Sequence, residues 1–226
     1  MDAAVVALAG AVSAAVMFGM WGPVKVSFPL SAVFGWHPVL MTLAFPGLMT
    51  LGRWAYLADA GAEKVQRRSA HRAIMGTAAI LVILGYAAIM MSHLGGAEKK
   101  FLAYNFKTQS FGEWRRVLHS IFGHLCVLLV LAQGFMGAYK LKVLKQGERR
   151  YTFHGSLGKG IMAMGCATIL LAVGFWPWSL GTKAIIGSLT LASCLVGALW
   201  VVERRSESEG LALGSGGAGK IGVPAE

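Results

Sequence analysis

Charged side chains are scarce: they make up 14% of the 226 residues, against 56% hydrophobic. A soluble domain draws about a quarter of its residues from the charged set to coat its surface, so this composition excludes an ordinary water-solvated globule. Acidic residues are scarcer still, 10 against 21 Lys and Arg, for a net charge of +11. That excess does not read as a nucleic-acid face, because the basic residues sit in gaps between apolar runs without aromatic interleaving. Only three cysteines occur, Cys126, Cys166 and Cys194, each inside an apolar run and none in a CxxC pair. Neither a disulfide framework nor a zinc site is suggested, and the three read as small buried side chains. The run from Ala3 to Met20 has only Asp2 ahead of it. It lacks the positive start of a secretory leader and reads as a retained helix.

Long apolar runs are what the chain has in place of charge. They fall at about Ala3 to Met20, Pro38 to Ala58, Ala73 to Ser92, Ser120 to Tyr139, Gly155 to Phe175 and Ala184 to Val202. About 20 apolar residues cross a bilayer as a helix, so six transmembrane helices are expected, with no amphipathic stripe that would argue for a soluble bundle. Fourteen of the Lys and Arg residues flank the even-numbered connections and the tail, and seven lie on the opposite side. The positive-inside rule then puts both termini in the cytoplasm. Residues 1–205 form one transmembrane domain, and the Gly- and Ser-rich tail 206–226 is expected to be disordered.

Histidine within a membrane span is costly and marks function. His37, His71, His119 and His154 each stand near the start of spans two to five. Consecutive spans run in opposite directions. His37 and His119 therefore share the non-cytoplasmic level, and His71 and His154 the cytoplasmic one. Two facing imidazoles across a helix bundle are the axial arrangement of a six-coordinate haem. The expected architecture is all-α, with helices two to five bundled around two b haems. Gly123 and Gly158 follow His119 and His154 by four residues, on the same face one turn deeper, where a flat ring could lie; close helix packing explains such glycines equally well. A bare metal site ranks below haem because its ligands would converge at one depth. His124 lies about 140° around the helix from His119 and reads as structural.

The segments FGWHPVLMTLAF around His37, RRSAHRAIMG, LHSIFGHL and YTFHGSLGKG resemble, in order, the motifs of the eukaryotic cytochrome b561 family. The similarity is greatest to its short members of the cytochrome b561 domain-containing protein 2 type. It covers roughly residues 3 to 202. The resemblance implies two b haems and an ascorbate-dependent transmembrane oxidoreductase, passing electrons from cytoplasmic ascorbate to monodehydroascorbate or ferric chelates. It also implies a homodimer in an endomembrane such as the ER, a vesicle or a vacuole. Basic residues flank the cytoplasmic pair: Lys64 and Arg68 before His71, Arg149 and Arg150 before His154. They are candidates to attract an anionic donor, although the positive-inside rule alone accounts for them. On the other side His93 matches a family histidine, but SHLGG stands where the family often has His-Asn, and the 3–4 connection is long and basic. His93 is a candidate acceptor-binding residue, with helix capping as its plain alternative. A competing reading makes the chain a haem-binding accessory subunit of a larger membrane complex. A transporter with histidine relays would need broken helices or inverted repeats that the sequence does not display.

Overall fold

The computed structural model describes residues 3–22, 29–57, 63–95, 98–146 and 150–200. The tail 206–226 and Arg149 lie outside them. Six helices make up most of the described chain. They are α1 (Ala3–Trp21), α2 (33–57), α3 (Lys64–Gly95), α4 (Trp114–Lys145), α5 (His154–Phe175) and α6 (Leu180–Leu195), the last continued by a π-helical turn, Val196–Trp200. Five of these stretches are long and apolar enough to cross a membrane: Ala3–Trp21, Lys64–Gly95, Trp114–Leu144, His154–Phe175 and Leu180–Ala198. The protein is an all-α, multi-pass membrane protein. Large apolar side chains point outward along the spans, Phe135 at 77% exposure and Leu128 at 64% among them, as a lipid solvent requires.

The second helix is built differently. It is α-helical over Val33–Thr42 and Thr50–Leu57, with a π-helical stretch Leu43–Met49 between. Pro46 lies inside that stretch. Proline lacks the N–H that an α-helical turn needs, and a wider π turn is a common way to absorb such a lesion. The Pro46 carbonyl is taken up by the Ser193 hydroxyl of α6, while Thr50 Oγ1 stands 3.3 Å from Ser193 Oγ. These buried hydroxyls join α2 to α6 where lipid offers no partner. The 33–57 path stays continuous and is roughly 35 Å long at 1.5 Å per residue, enough to cross.

The helices α3 and α4 extend well past the apolar runs that announce them, α3 by two turns through the basic residues before His71. In the bundle α2 packs along α3, α3 along α4, α4 along α5, and α5 back on α2. The diagonal partners, α2 with α4 and α3 with α5, do not pack closely on each other. Outside this ring α1 lies on α2 and α6, and α6 lies on α5. The core runs through Met20, Phe45, Val82, Cys126, Ile161 and Met162.

The connection between α3 and α4 holds a small antiparallel sheet, β1 (Lys100–Phe101), β2 (Tyr104–Asn105) and β3 (Ser110–Phe111), in the order β1-β2-β3. Phe101 pairs with Tyr104, so the first turn has two residues, Leu102 and Ala103, with φ of 49° and 61°. Such a turn favours Asn-Gly; here two ordinary side chains occupy the left-handed region.

Candidate functional site: four histidines at two levels

His37 on α2 and His119 on α4 face each other across one diagonal of the bundle. Their ring centres are 6.2 Å apart and their planes are nearly perpendicular, at 86°. A metal–imidazole nitrogen bond is about 2 Å, and a ring centre stands roughly 1 Å behind its nitrogen. Two imidazoles on opposite sides of one metal should therefore have centres roughly 6 Å apart, which is the separation present. On the other diagonal, His154 of α5 lies within electrostatic reach of His71 of α3.

Each ring's second nitrogen decides whether it is poised as a ligand. His37 Nδ1 is 2.9 Å from the Gly85 carbonyl of α3. His71 Nδ1 is 2.9 Å from the Gly52 carbonyl of α2, and His119 Nδ1 is 2.9 Å from the Thr168 carbonyl of α5. A carbonyl only accepts, so in all three rings Nδ1 donates, and Nε2 carries the lone pair. This is the support that metal-binding imidazoles use to settle tautomer and orientation. His154 opens α5. Its own carbonyl accepts from Gln133 Nε2 at 2.7 Å, and its Nδ1 is buried without a protein partner. Gly137 makes room for this ring, since a Cβ there would stand 3.2 Å from His154 Cε1.

The same bonds set the separation of the levels. On α2 the stretch from His37 to Gly52, on α3 from His71 to Gly85 and on α5 from His154 to Thr168 each spans fourteen or fifteen residues. At 1.5 Å per residue this is roughly 21 Å. Each of these helices thus carries a histidine at one level and the acceptor for the other level's histidine four turns away.

A cavity of about 390 Å³ surrounds the His37–His119 pair. Gly123 lies in its wall, and a Cβ there would meet only Thr168 Cγ2, at 3.9 Å. Gly158 instead faces the Gln133 amide, so only one of the two glycines borders open space. Among the described residues no three His, Cys, Asp or Glu side chains converge to hold a bare ion. A porphyrin supplies four of its iron's ligands itself and asks the protein for two. The donor set, the ring separation and the apolar diagonal gap all suit it.

The remaining expectations divide. His93 lines the same cavity, with Lys100 and Arg116 beside it. Lys64 begins α3 exposed, Arg68 is half-buried one turn before His71, and Arg150 is exposed ahead of α5. Lys140 lies within electrostatic reach of both His71 and His154, and Arg53 of His71; neither stood out in the sequence beyond its place in the charge bias. The reading of His124 as turned elsewhere needs correction. It lines the His37–His119 cavity, meeting Tyr86 and Phe101 edge-on with ring centres 5.3 Å away in each case. The angle from His119 was right, but it points His124 at α3, where the cavity continues. The three acceptor carbonyls were also missed, because a backbone carbonyl leaves no mark on residue type.

Fold and site together define a membrane helix bundle in which His37 faces His119 across one diagonal and His71 and His154 stand on the other. The chain belongs to the eukaryotic cytochrome b561 family, whose model matches residues 36–176, more than half of the chain and all four histidines. Membership makes it a transmembrane oxidoreductase that carries electrons by means of haem b. No curated protein matched the chain.

Proposed function

We propose that the chain holds two b haems, one between His37 and His119 and one between His71 and His154, and passes electrons from cytoplasmic ascorbate to monodehydroascorbate or a ferric chelate on the other side. The observation that carries this reading is the set of three Nδ1-to-carbonyl bonds, on two diagonals at two levels. Haem b would supply one-electron iron chemistry there, and His37, His119, His71 and His154 are the residues that would hold it. The protein's part is to hold ligands at two depths and keep the space between them apolar. Cations that precede the cytoplasmic pair in the sequence, Lys64, Arg68, Arg149 and Arg150, together with Lys140 and Arg53 within electrostatic reach of the rings, raise the local concentration of an anionic donor. His93, at the mouth of the opposite cavity, faces the acceptor. Homodimeric assembly in an endomembrane belongs to the same reading, as does kinship with the short members of the family. A reduced-minus-oxidised spectrum with a haem count on purified protein tests it. Two b haems per chain, both reduced by ascorbate, are expected; one haem or none would overturn it.

A further inference from the structure

The outer surface between α4 and α5 carries a groove of about 430 Å³. Leu170, Leu171 and Gly174 of α5 form one wall and Phe122 of α4 the other, with Trp114 and Arg115 where α4 begins. It shares no lining residue with the cavity around His37 and His119. The separation follows from the two faces of α5. Gly165, Cys166, Ile169 and Val173 are buried in the core, whereas Leu170, Leu171 and Gly174 lie on another face by helical periodicity. Small residues in transmembrane helices usually admit a neighbouring helix. Gly174 has no such task, since an added Cβ would meet nothing within 4 Å; its smallness deepens the groove instead.

Two cations stand at this end. Arg115 has its guanidinium 5.4 Å from the Trp114 ring centre, and its Nε lies 3.5 Å from the Glu113 carboxylate. Lys183 of α6 donates to the carbonyl of Gly174 at 3.2 Å, a bond that takes one of the three donors of an ammonium group. Two cations against one carboxylate leave the rim net positive. Glu113 meets Arg115 at Nε, and the terminal nitrogens of a guanidinium form the planar fork that grips a phosphate. Trp114 is 61% exposed, and Trp beside Arg at a helix end belongs at the depth of the lipid head groups.

We propose that this groove binds an anionic phospholipid, its phosphodiester against Arg115 and Lys183 and one acyl chain along Phe122, Leu170 and Leu171 over Gly174. Charge complementarity selects the occupant. A zwitterionic head group brings a cation of its own to a rim that is already positive, and an anionic one does not. The site stands on the same end of the bundle as His37 and His119, and it is independent of the electron-transfer reading.

The test titrates full-length protein with haem bound, in detergent, with phosphatidylglycerol and separately with phosphatidylcholine of the same acyl chains, and counts lipid adducts by native mass spectrometry. Phosphatidylglycerol should bind roughly tenfold more tightly at the first site, the equivalent of one charge-assisted hydrogen bond, and Arg115→Gln should remove that preference. Gly174→Trp, which fills the groove, should weaken both lipids alike. The haem spectrum checks that each variant is folded, and where Arg115→Gln is not, Lys183→Gln decides by the same ratio. Equal affinity for the two lipids in the unaltered protein, or a preference that survives the charge variants, would overturn the proposal. So would displacement of phosphatidylglycerol by inorganic phosphate alone, which would make the site one for a free anion. A shift from dimer to monomer in Gly174→Trp would overturn it too, by giving the face to a second copy of the chain.

Discussion

Gly85 performs two tasks at one point of contact, and Gly85→Ala separates them from global stability. Its carbonyl holds His37 Nδ1 at 2.9 Å, and its bare α-carbon lets α3 approach α2. An added Cβ would come within 3.2 Å of Leu40 Cβ and 3.3 Å of Met41 Cε. The methionine end can swing away. Leu40 Cβ moves only with its backbone, so the two helices must part by a few tenths of an ångström. Overpacking of this kind costs about 1–3 kcal/mol. The displacement falls on the carbonyl that orients His37, and loss of such support commonly lowers metal affinity about 10–100-fold. Thermal unfolding should show the stability loss. Redox potentiometry and haem titration should show a change confined to the His37–His119 component, with the His71–His154 component unmoved. A variant with both components unchanged, or both altered equally, would refute the reasoning, since the bond reaches only one level.

Other expectations follow from the same geometry. His37→Ala and His119→Ala should each lose one spectral component, and His71→Ala and His154→Ala the other; a cross pairing, with His37 and His71 alike, would contradict the diagonals. Neutralising Arg68 and Arg150 together should raise the ascorbate concentration for half-reduction several-fold, with a smaller effect for an uncharged reductant, and equal effects would remove the case for a donor site. The Glu98 carboxyl is held below its ordinary range by the Asn105 amide and then by Lys100 and Lys107. Its contribution to hairpin order is therefore present above the ordinary value of 4.5 and is lost as pH falls through the lower folded value. Amide exchange in residues 98–111 should rise over that acidic window in the wild type and be raised already at neutral pH in Glu98→Gln. A hairpin indifferent to both would show the carboxylate to be incidental.

The elements most legible in the sequence were those governed by solvent and by chain direction. A bilayer demands long apolar runs, and the structure has helices at all six. Alternation of direction sorted four histidines into two levels without any coordinates, because a residue near the start of one helix and a residue near the start of the next lie at opposite ends. Other features depended on neighbours distant in the chain. The π stretch in α2 follows from Pro46 but is tolerated through Ser193 on α6. The supports at Gly52, Gly85 and Thr168 are backbone oxygens, indistinguishable in sequence from any other. His124 shows the limit best: its angle around α4 was computable, but whether that angle meant lipid, protein or cavity depended on where α3 and the hairpin lay. Periodicity and depth are properties of one helix and can be read along it, whereas lateral placement is a relation between helices and arises only when they pack.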